Sequence, residues 1–319
     1  MRVIMAIPEL ASAESLRTAE FRSNSLGRLM LRRLFRQRSA VVGMTLLGFL
    51  LFVAIFADVI APYGPTDVLI GVEPVRRREA PCIHLLGCPT DRPQHIMGID
   101  GNVRDQFSRV IYGTRVSLFI GLTTVSFAIV VGTILGSLAG YIGKTVDNVI
   151  MRFMDVLLAF PSLLLAIAIV SVLSRGLQSA LLAIAIVTIP VYARVVRASV
   201  LSVKEQEYIE ATRALGASHF VILLKHILPN AVPPLIVAAT LGIASAILDA
   251  AALSFLGLGA QPPMAEWGTM LGAERNQVFT SPHLVFFPGI AIMITVLAFN
   301  LLGDGLRDAI DPRLAQSGY

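Results

Sequence analysis

RVSLFIGLTTVSFAIVVGTILGSLAGYIGK, residues 115–144, holds 28 consecutive residues without a charge between Arg115 and Lys144. A helix crossing the hydrocarbon core of a bilayer needs roughly 20 apolar residues. A second uncharged run of 28 lies between Arg275 and Asp304. Soluble domains carry about 25% charged residues, whereas this chain of 319 residues carries 15% and is 55% hydrophobic. Its mean hydropathy is +0.74. The chain therefore reads as a polytopic membrane protein. Within lipid every backbone N–H and C=O must be satisfied by a helix or a closed barrel. The runs are too long and too uniformly apolar for alternating barrel strands, so the fold class is all-α.

Hydropathy places six spans, near residues 40–61, 116–139, 155–174, 178–195, 232–254 and 285–303. Pro190 falls near the end of the fourth and Asp249 inside the fifth. With both termini cytoplasmic, inside segments hold 17 of the 26 Lys and Arg residues, as the positive-inside rule requires. The net charge of +5 is thus a topology signal, and no folded basic domain suggests a nucleic-acid partner. The polar, Arg-rich start has no apolar core of a cleavable signal, so the first span is expected to act as an uncleaved anchor.

Residues 1–39 are expected to form a cytoplasmic tail ending in an interfacial helix over 24–39. Leu26, Met30 and Leu34 fall on one face there, among Arg28, Arg32, Arg33, Arg36 and Arg38. Membrane-flanking charge alone explains the arginines equally well. Residues 40–113 take in the first span and a long outer segment whose first part, rich in proline, looks loop-like. That segment holds the only two cysteines, Cys82 and Cys88. In an oxidising compartment they can close a disulfide; free thiols, or a transient metal site with His84, are the alternatives, although three ligands fall short of a closed site.

Several chemistries are missing. GYIGKT at 140–145 ends like a phosphate-binding loop, but Leu138 stands where its first glycine belongs, and the segment follows a membrane helix. No catalytic set and no metal-ligand set is visible. Gly132, Gly136 and Gly140 make a small-residue face for a close helix neighbour, in this chain or in a partner. Asp249 is an acid inside a span, hence a candidate ion relay, or a packing or gating carboxylate facing water or another helix.

The polar stretch EYIEATRALGASHFVILLKHILPN, residues 207–230, interrupts this pattern. VKEQEYIEATRAL, beginning at Val203, reads as one helix with acids early and Arg213 late, in accord with the helix dipole. Gly216 suits a left-handed C-cap. A second helix follows, with Ser218 as a candidate N-cap, and Pro229 is expected to close it before span five.

Glu210-Ala211-Thr212, then Gly216, then Ile227-Leu228-Pro229 resembles the EAA loop of ABC-importer permeases, with Thr212 in place of the usual alanine. Residues 95–118, 140–167, 253–271 and 301–313 resemble further blocks of the dipeptide/oligopeptide/nickel subfamily, in the order of its C-type permease. The resemblance covers roughly 27–313. It implies a type-1 importer permease domain over 114–304, a coupling loop at 204–230 and a cytoplasmic tail at 305–319. It assigns ATPase coupling to Glu207, Glu210, Ala211, Thr212, Leu215, Gly216 and Ala217. It also implies a homologous second permease, two cytoplasmic ATPases that hold the ATP and Mg, and an extracytoplasmic binding protein that delivers the solute. This chain would hold no cofactor and catalyse nothing. Its setting would be the plasma membrane of a bacterium or archaeon. Peptides lead the expected cargoes, with nickel, glutathione or another small solute as alternatives. Pro262, Pro263 and Trp267 are candidate contacts for the binding protein, or simply shape a turn. Two departures stand out: a longer loop over 65–94, and Asp249 where the family more often has glutamate. A gradient-driven transporter is the rival class, but no internal repeat supports it.

Overall fold

The computed structural model describes residues 34–310. The interfacial helix expected over 24–39 lies outside the described residues except for 34–39, as does the tail beyond Ile310.

Span one is α1 (Arg38–Ile55), followed by a single turn at Ala57–Ile60. Helix α2 (Gln106–Ile142) is 37 residues long, about 55 Å at 1.5 Å per residue. It begins well before the uncharged run because Asp105 caps it. The Asp105 carboxylate accepts from the Ser108 N–H and hydroxyl, each at 2.7 Å. The first turns of α2 thus stand outside the membrane and carry the outer segment, so a domain boundary at 113 would cut a helix.

The third span differs from the straight helix expected over 155–174. The chain forms α3 (Lys144–Leu158) and α4 (Ser162–Leu173), bent by 93°. Pro161 disfavours a helical Phe160 and sets the break. Helix α3 carries Lys144, Asp147, Arg152 and Asp155, which hydrocarbon excludes. Helix α4, with 12 residues, is about 18 Å long and too short to cross alone. Helix α5 (Leu177–Lys204) also overruns expectation, with Pro190 in its interior. The arginines toward its end are paired: Arg197 with Asp147 and Arg194 with Asp155, each at 2.5 Å.

After α6 (Glu207–Ala214), residues 219–255 run as one helix whose main part is α7 (Leu228–Phe255). Pro229 does not end it. A π turn over Ile222–Ile227 comes immediately before, placing the proline in the first turn of α7, where a missing N–H is tolerated. Helices α8 (Trp267–Glu274) and α9 (His283–Ile310) follow. Helix α9 continues past residue 304, so the last boundary also falls inside a helix. Among the described residues, five helices are long and apolar enough to cross a bilayer, and the bent pair makes a sixth.

The core lies between α2, α4, α5 and α7. It includes Ile120, Val125, Ile184, Tyr192 and Leu253. The glycine stripe of α2 faces α5 of the same chain. A Cβ on Gly132 would lie 2.7 Å from Tyr192 Cβ and 3.0 Å from the Ala193 nitrogen; one on Gly140 would lie 2.9 Å from Val200 Cβ. Backbone meets backbone there, which only glycine permits.

The outer segment has little regular structure but is tied down by side chains. Leu69, Ile99 and Val103 form its small core. Buried His95 hydrogen-bonds Asp105 at 2.8 Å and Glu73 at 3.0 Å, and the Tyr63 hydroxyl donates to Glu73 at 2.6 Å. Burial alone would lower the His95 pKa, but hydrogen bonds and charge from Asp105 and Glu73 outweigh it and hold the pKa above its ordinary value. Arg78 reaches Glu274 at 2.8 Å, docking the segment on the end of α8. Cys82 and Cys88 are joined as a disulfide, their Cα atoms 5.4 Å apart. His84 bonds the Arg92 carbonyl at 2.8 Å, and no metal-binding cluster occurs among the described residues.

Candidate functional site

The cytoplasmic hairpin between α5 and α7 gathers every residue assigned above to coupling. The single helix expected from Val203 is broken at Glu205–Gln206: α5 ends at Lys204 and α6 starts at Glu207. The break lets α6 leave the axis of α5. The Lys204 ammonium donates to the Tyr141 carbonyl at the foot of α2, 2.9 Å away.

One residue anchors α6. Ile209 is fully buried in a cluster with Val196 and Val200 of α5 and with Ile222 and Ile227. Its neighbours on the helix point outward. Gly216 then takes φ +84°. The Ala217 N–H reaches the Thr212 carbonyl at 3.3 Å and the Gly216 N–H the Arg213 carbonyl at 3.0 Å, the two bonds of a Schellman cap. Ser218 has the extended backbone of an N-cap, but its hydroxyl makes no capping bond. Thr212 turns its hydroxyl back onto the Tyr208 carbonyl at 2.7 Å. It therefore consumes its polarity within the helix, which explains how it can replace alanine.

Two polar ties brace the far arm of the hairpin. The Tyr141 hydroxyl shares a 2.7 Å hydrogen bond with His219, and the Asn230 amide donates to the Tyr208 hydroxyl at 3.3 Å. Tyr141, Lys204, Tyr208, His219 and Asn230 escaped the sequence, because each finds its partner on another element. Asp147, Asp155, Arg194 and Arg197 left a visible signal: unexplained charges at the edges of two adjacent spans.

The hairpin is thus rigid behind and open in front. Its free side shows Glu207, Glu210, Ala211 and Arg213, and above all Leu215, 88% exposed, with Phe220 at 71%. Burying each of these two side chains against a partner is worth roughly 1.5–3 kcal/mol. The back is continuous with the membrane core. Gly140 packs on Val200, and Val200 belongs to the cluster that holds Ile209. Val200 thus joins the anchor of α6 to the α2–α5 seam.

The other candidates lie elsewhere. Asp249 is half-buried on α7. Pro262 and Pro263 are exposed on the outer side, in the link from α7 to α8. Trp267 is not available to a partner. It is fully buried, and its indole N–H donates to the Val110 carbonyl at 3.0 Å. Of the two roles left open for Trp267, partner contact or shaping the chain, its burial favours the structural one: it seats α8 against α2.

Comparison with known proteins follows the same outline. Residues 132–316 match the family described as binding-protein-dependent transport system inner membrane component. Residues 25–77 match the N-terminal TM domain of oligopeptide transport permease C. The dipeptide transport system permease protein DppC of Alkalihalophilus pseudofirmus is 45% identical over 285 residues, 89% of this chain and 88% of that protein. The glutathione transport system permease protein GsiD of Escherichia coli O157:H7 is 46% identical over 283 residues, 89% of each. A chain of the MetNI methionine ABC transporter, in an inward-facing form, superposes with a TM-score of 0.53 at 22% identity. It covers 64% of this chain and 98% of its own length, a likeness of fold.

Proposed function

This chain belongs to the family of inner membrane components of binding-protein-dependent transport systems, as a permease of the DppC/OppC-like kind, and from that premise we propose that it carries di- and oligopeptides inward as half of an ATP-driven pathway. It is a multi-pass protein of the inner membrane. Its family works with ATPase and binding-protein partners. The peptide cargo draws support from relatives named for dipeptide and di/tripeptide transport. Those named for glutathione keep that solute as the second reading.

In the proposed assembly a homologous second permease closes the pathway, and two ATPases sit beneath. ATP and Mg are held by the ATPases, and this chain hydrolyses nothing. The hairpin carries the mechanism: Leu215 and Phe220 seat in an ATPase groove while Glu207 and Glu210 meet charges at its rim. When the ATPases close, α6 moves as a unit, because Ile209 and the Gly216 cap leave it no slack. The α2–α5 pair is drawn along through Val200 and Gly140, and the permeases rock between inward-facing and outward-facing arrangements.

The single observation behind this reading is a rigidly backed helix with an exposed apolar front on the cytoplasmic side. Its test is ATP-dependent uptake of a labelled dipeptide by proteoliposomes holding both permeases, the ATPases and the binding protein. Glu210→Lys should leave the protein in the membrane and uncouple ATP hydrolysis from uptake. Uptake that persists without ATP, or a Glu210→Lys variant that transports normally, would refute it.

A further inference from the structure

Three arginines near the ends of spans find carboxylate partners within this chain. Arg115 holds Asp58 at 2.9 Å, Arg194 holds Asp155 and Arg197 holds Asp147. Asp249, well inside α7, has neither an ion pair nor a hydrogen bond among the described residues. Its surroundings show why. Two sides of α7 are packed. Ala246, Ala250 and Leu253 face the core shared with α4 and α5. Ala244 and Ile247 face α1, α2 and α9. The remaining side carries exposed Ser245, Leu248 at 47% exposure and half-buried Asp249, one turn beyond Ser245.

An unpaired carboxylate is strongly disfavoured against hydrocarbon, and residues of this kind face a bundle interior or a watery cavity. The side of α7 that the described residues leave uncovered is therefore unsuited to lipid and suited to a hydrated cavity or the interior of an assembled bundle. Asp249 precedes Phe255, the last residue of α7, by about 9 Å of helix rise. It stands in the outer half of the membrane, where cargo released from outside arrives first. An ammonium brings three donors and no acceptor. A free carboxylate with a serine hydroxyl one turn away is a fitting host, and it repels anions.

We propose that Asp249 is a specificity-determining residue of the pathway, receiving the α-ammonium of the passing peptide with Ser245 as its companion. This rests on the peptide reading given above. Asp249 acts on the cargo, whereas the hairpin acts on the ATPases, so the two functions separate by variant.

The experiment compares wild type, Asp249→Asn and Asp249→Glu in the complete reconstituted importer. The cargoes are a free-amine dipeptide and its N-acetylated counterpart, each at a concentration shown by titration to load the binding protein fully. Asp249→Asn should cut initial uptake of the free-amine dipeptide about tenfold or more, the scale of one lost charge-assisted hydrogen bond, and change uptake of the acetylated one less than about twofold. Asp249→Glu should stay near wild type, and stimulation of ATP hydrolysis by the loaded binding protein should survive in all three. If Asp249→Asn lowers both cargoes alike, the carboxylate serves a partner subunit or the hydration of the cavity, and the proposal falls. It falls equally if neither cargo is affected. Failure of the wild type to import the free-amine dipeptide would instead overturn the peptide reading.

Discussion

Ile209→Ala tests whether the hairpin transmits force because it is anchored. The side chain is fully buried among Val196, Val200, Ile222 and Ile227. Truncating a buried isoleucine to alanine costs about 2–5 kcal/mol, in lost burial plus the cavity left behind. Helix α6 has only eight residues and no other fully buried side chain, so the loss falls on local opening rather than on the membrane core. A loss of about 3 kcal/mol raises the open population about a hundredfold. Amide hydrogen exchange over residues 207–217 should quicken by about that factor, while amides of α2 and α5 keep their protection. In the reconstituted importer, ATP hydrolysis should continue and uptake per ATP should fall. Leu215→Ala is the matched control. It removes an exposed side chain, so exchange in the isolated chain should not change, but affinity for the ATPases should drop about tenfold to a hundredfold. Unchanged exchange in Ile209→Ala, or faster exchange with coupling intact, would refute the anchoring role.

Gly136→Leu should destabilise the chain by several kcal/mol, because the added side chain meets the backbone of α5 at Ala193 and the Cβ of Val196; thermal melts in detergent read this, and Ser126→Ala on the exposed side of α2 should melt like wild type. Trp267→Ala should cost about 3–5 kcal/mol and loosen the outer end, so limited proteolysis should detect it before any binding-protein assay does, with Trp267→Phe intermediate. The outer segment should respond to pH through His95. Its folded pKa is raised, so its contribution is complete below the ordinary value of 6.5 and is lost as pH rises through the folded pKa. Proteolytic protection of residues 62–105 should therefore decline as pH climbs above 6.5, and His95→Gln should flatten that dependence.

The uncharged runs at 116–143 and 276–303 were enough to declare a helical membrane protein, because partition into a bilayer depends on local composition. The end of α6 at Gly216 was equally legible, since a left-handed C-cap is a property of a few neighbouring residues. The same local rules failed wherever a distant partner changed the balance. The fourth span was expected to stop near Pro190 and residue 195, yet α5 runs on to Lys204, with Arg194 and Arg197 paired to Asp155 and Asp147 on α3; Arg197 and Asp147 are 50 residues apart. Pro229 looked like a stop until a π turn placed it in the first turn of α7. Trp267 was equally a candidate contact or a shaper of the turn until Val110, 157 residues away, received its N–H.

The sequence by itself determined which segments enter the membrane, which side they start from and where a polar hairpin interrupts them. Each follows from solvation and backbone preference over a window of a few turns. Only the tertiary structure decided that the glycine stripe serves α5 of this chain, that the third span is broken, and that Arg78 and Glu274, 196 residues apart, tie the outer segment to α8. It also decided that half-buried Asp249 stands on a side of α7 that the other described residues leave partly uncovered. Those outcomes depend on which surfaces meet, and a pairing energy between distant residues has no signature in either residue alone.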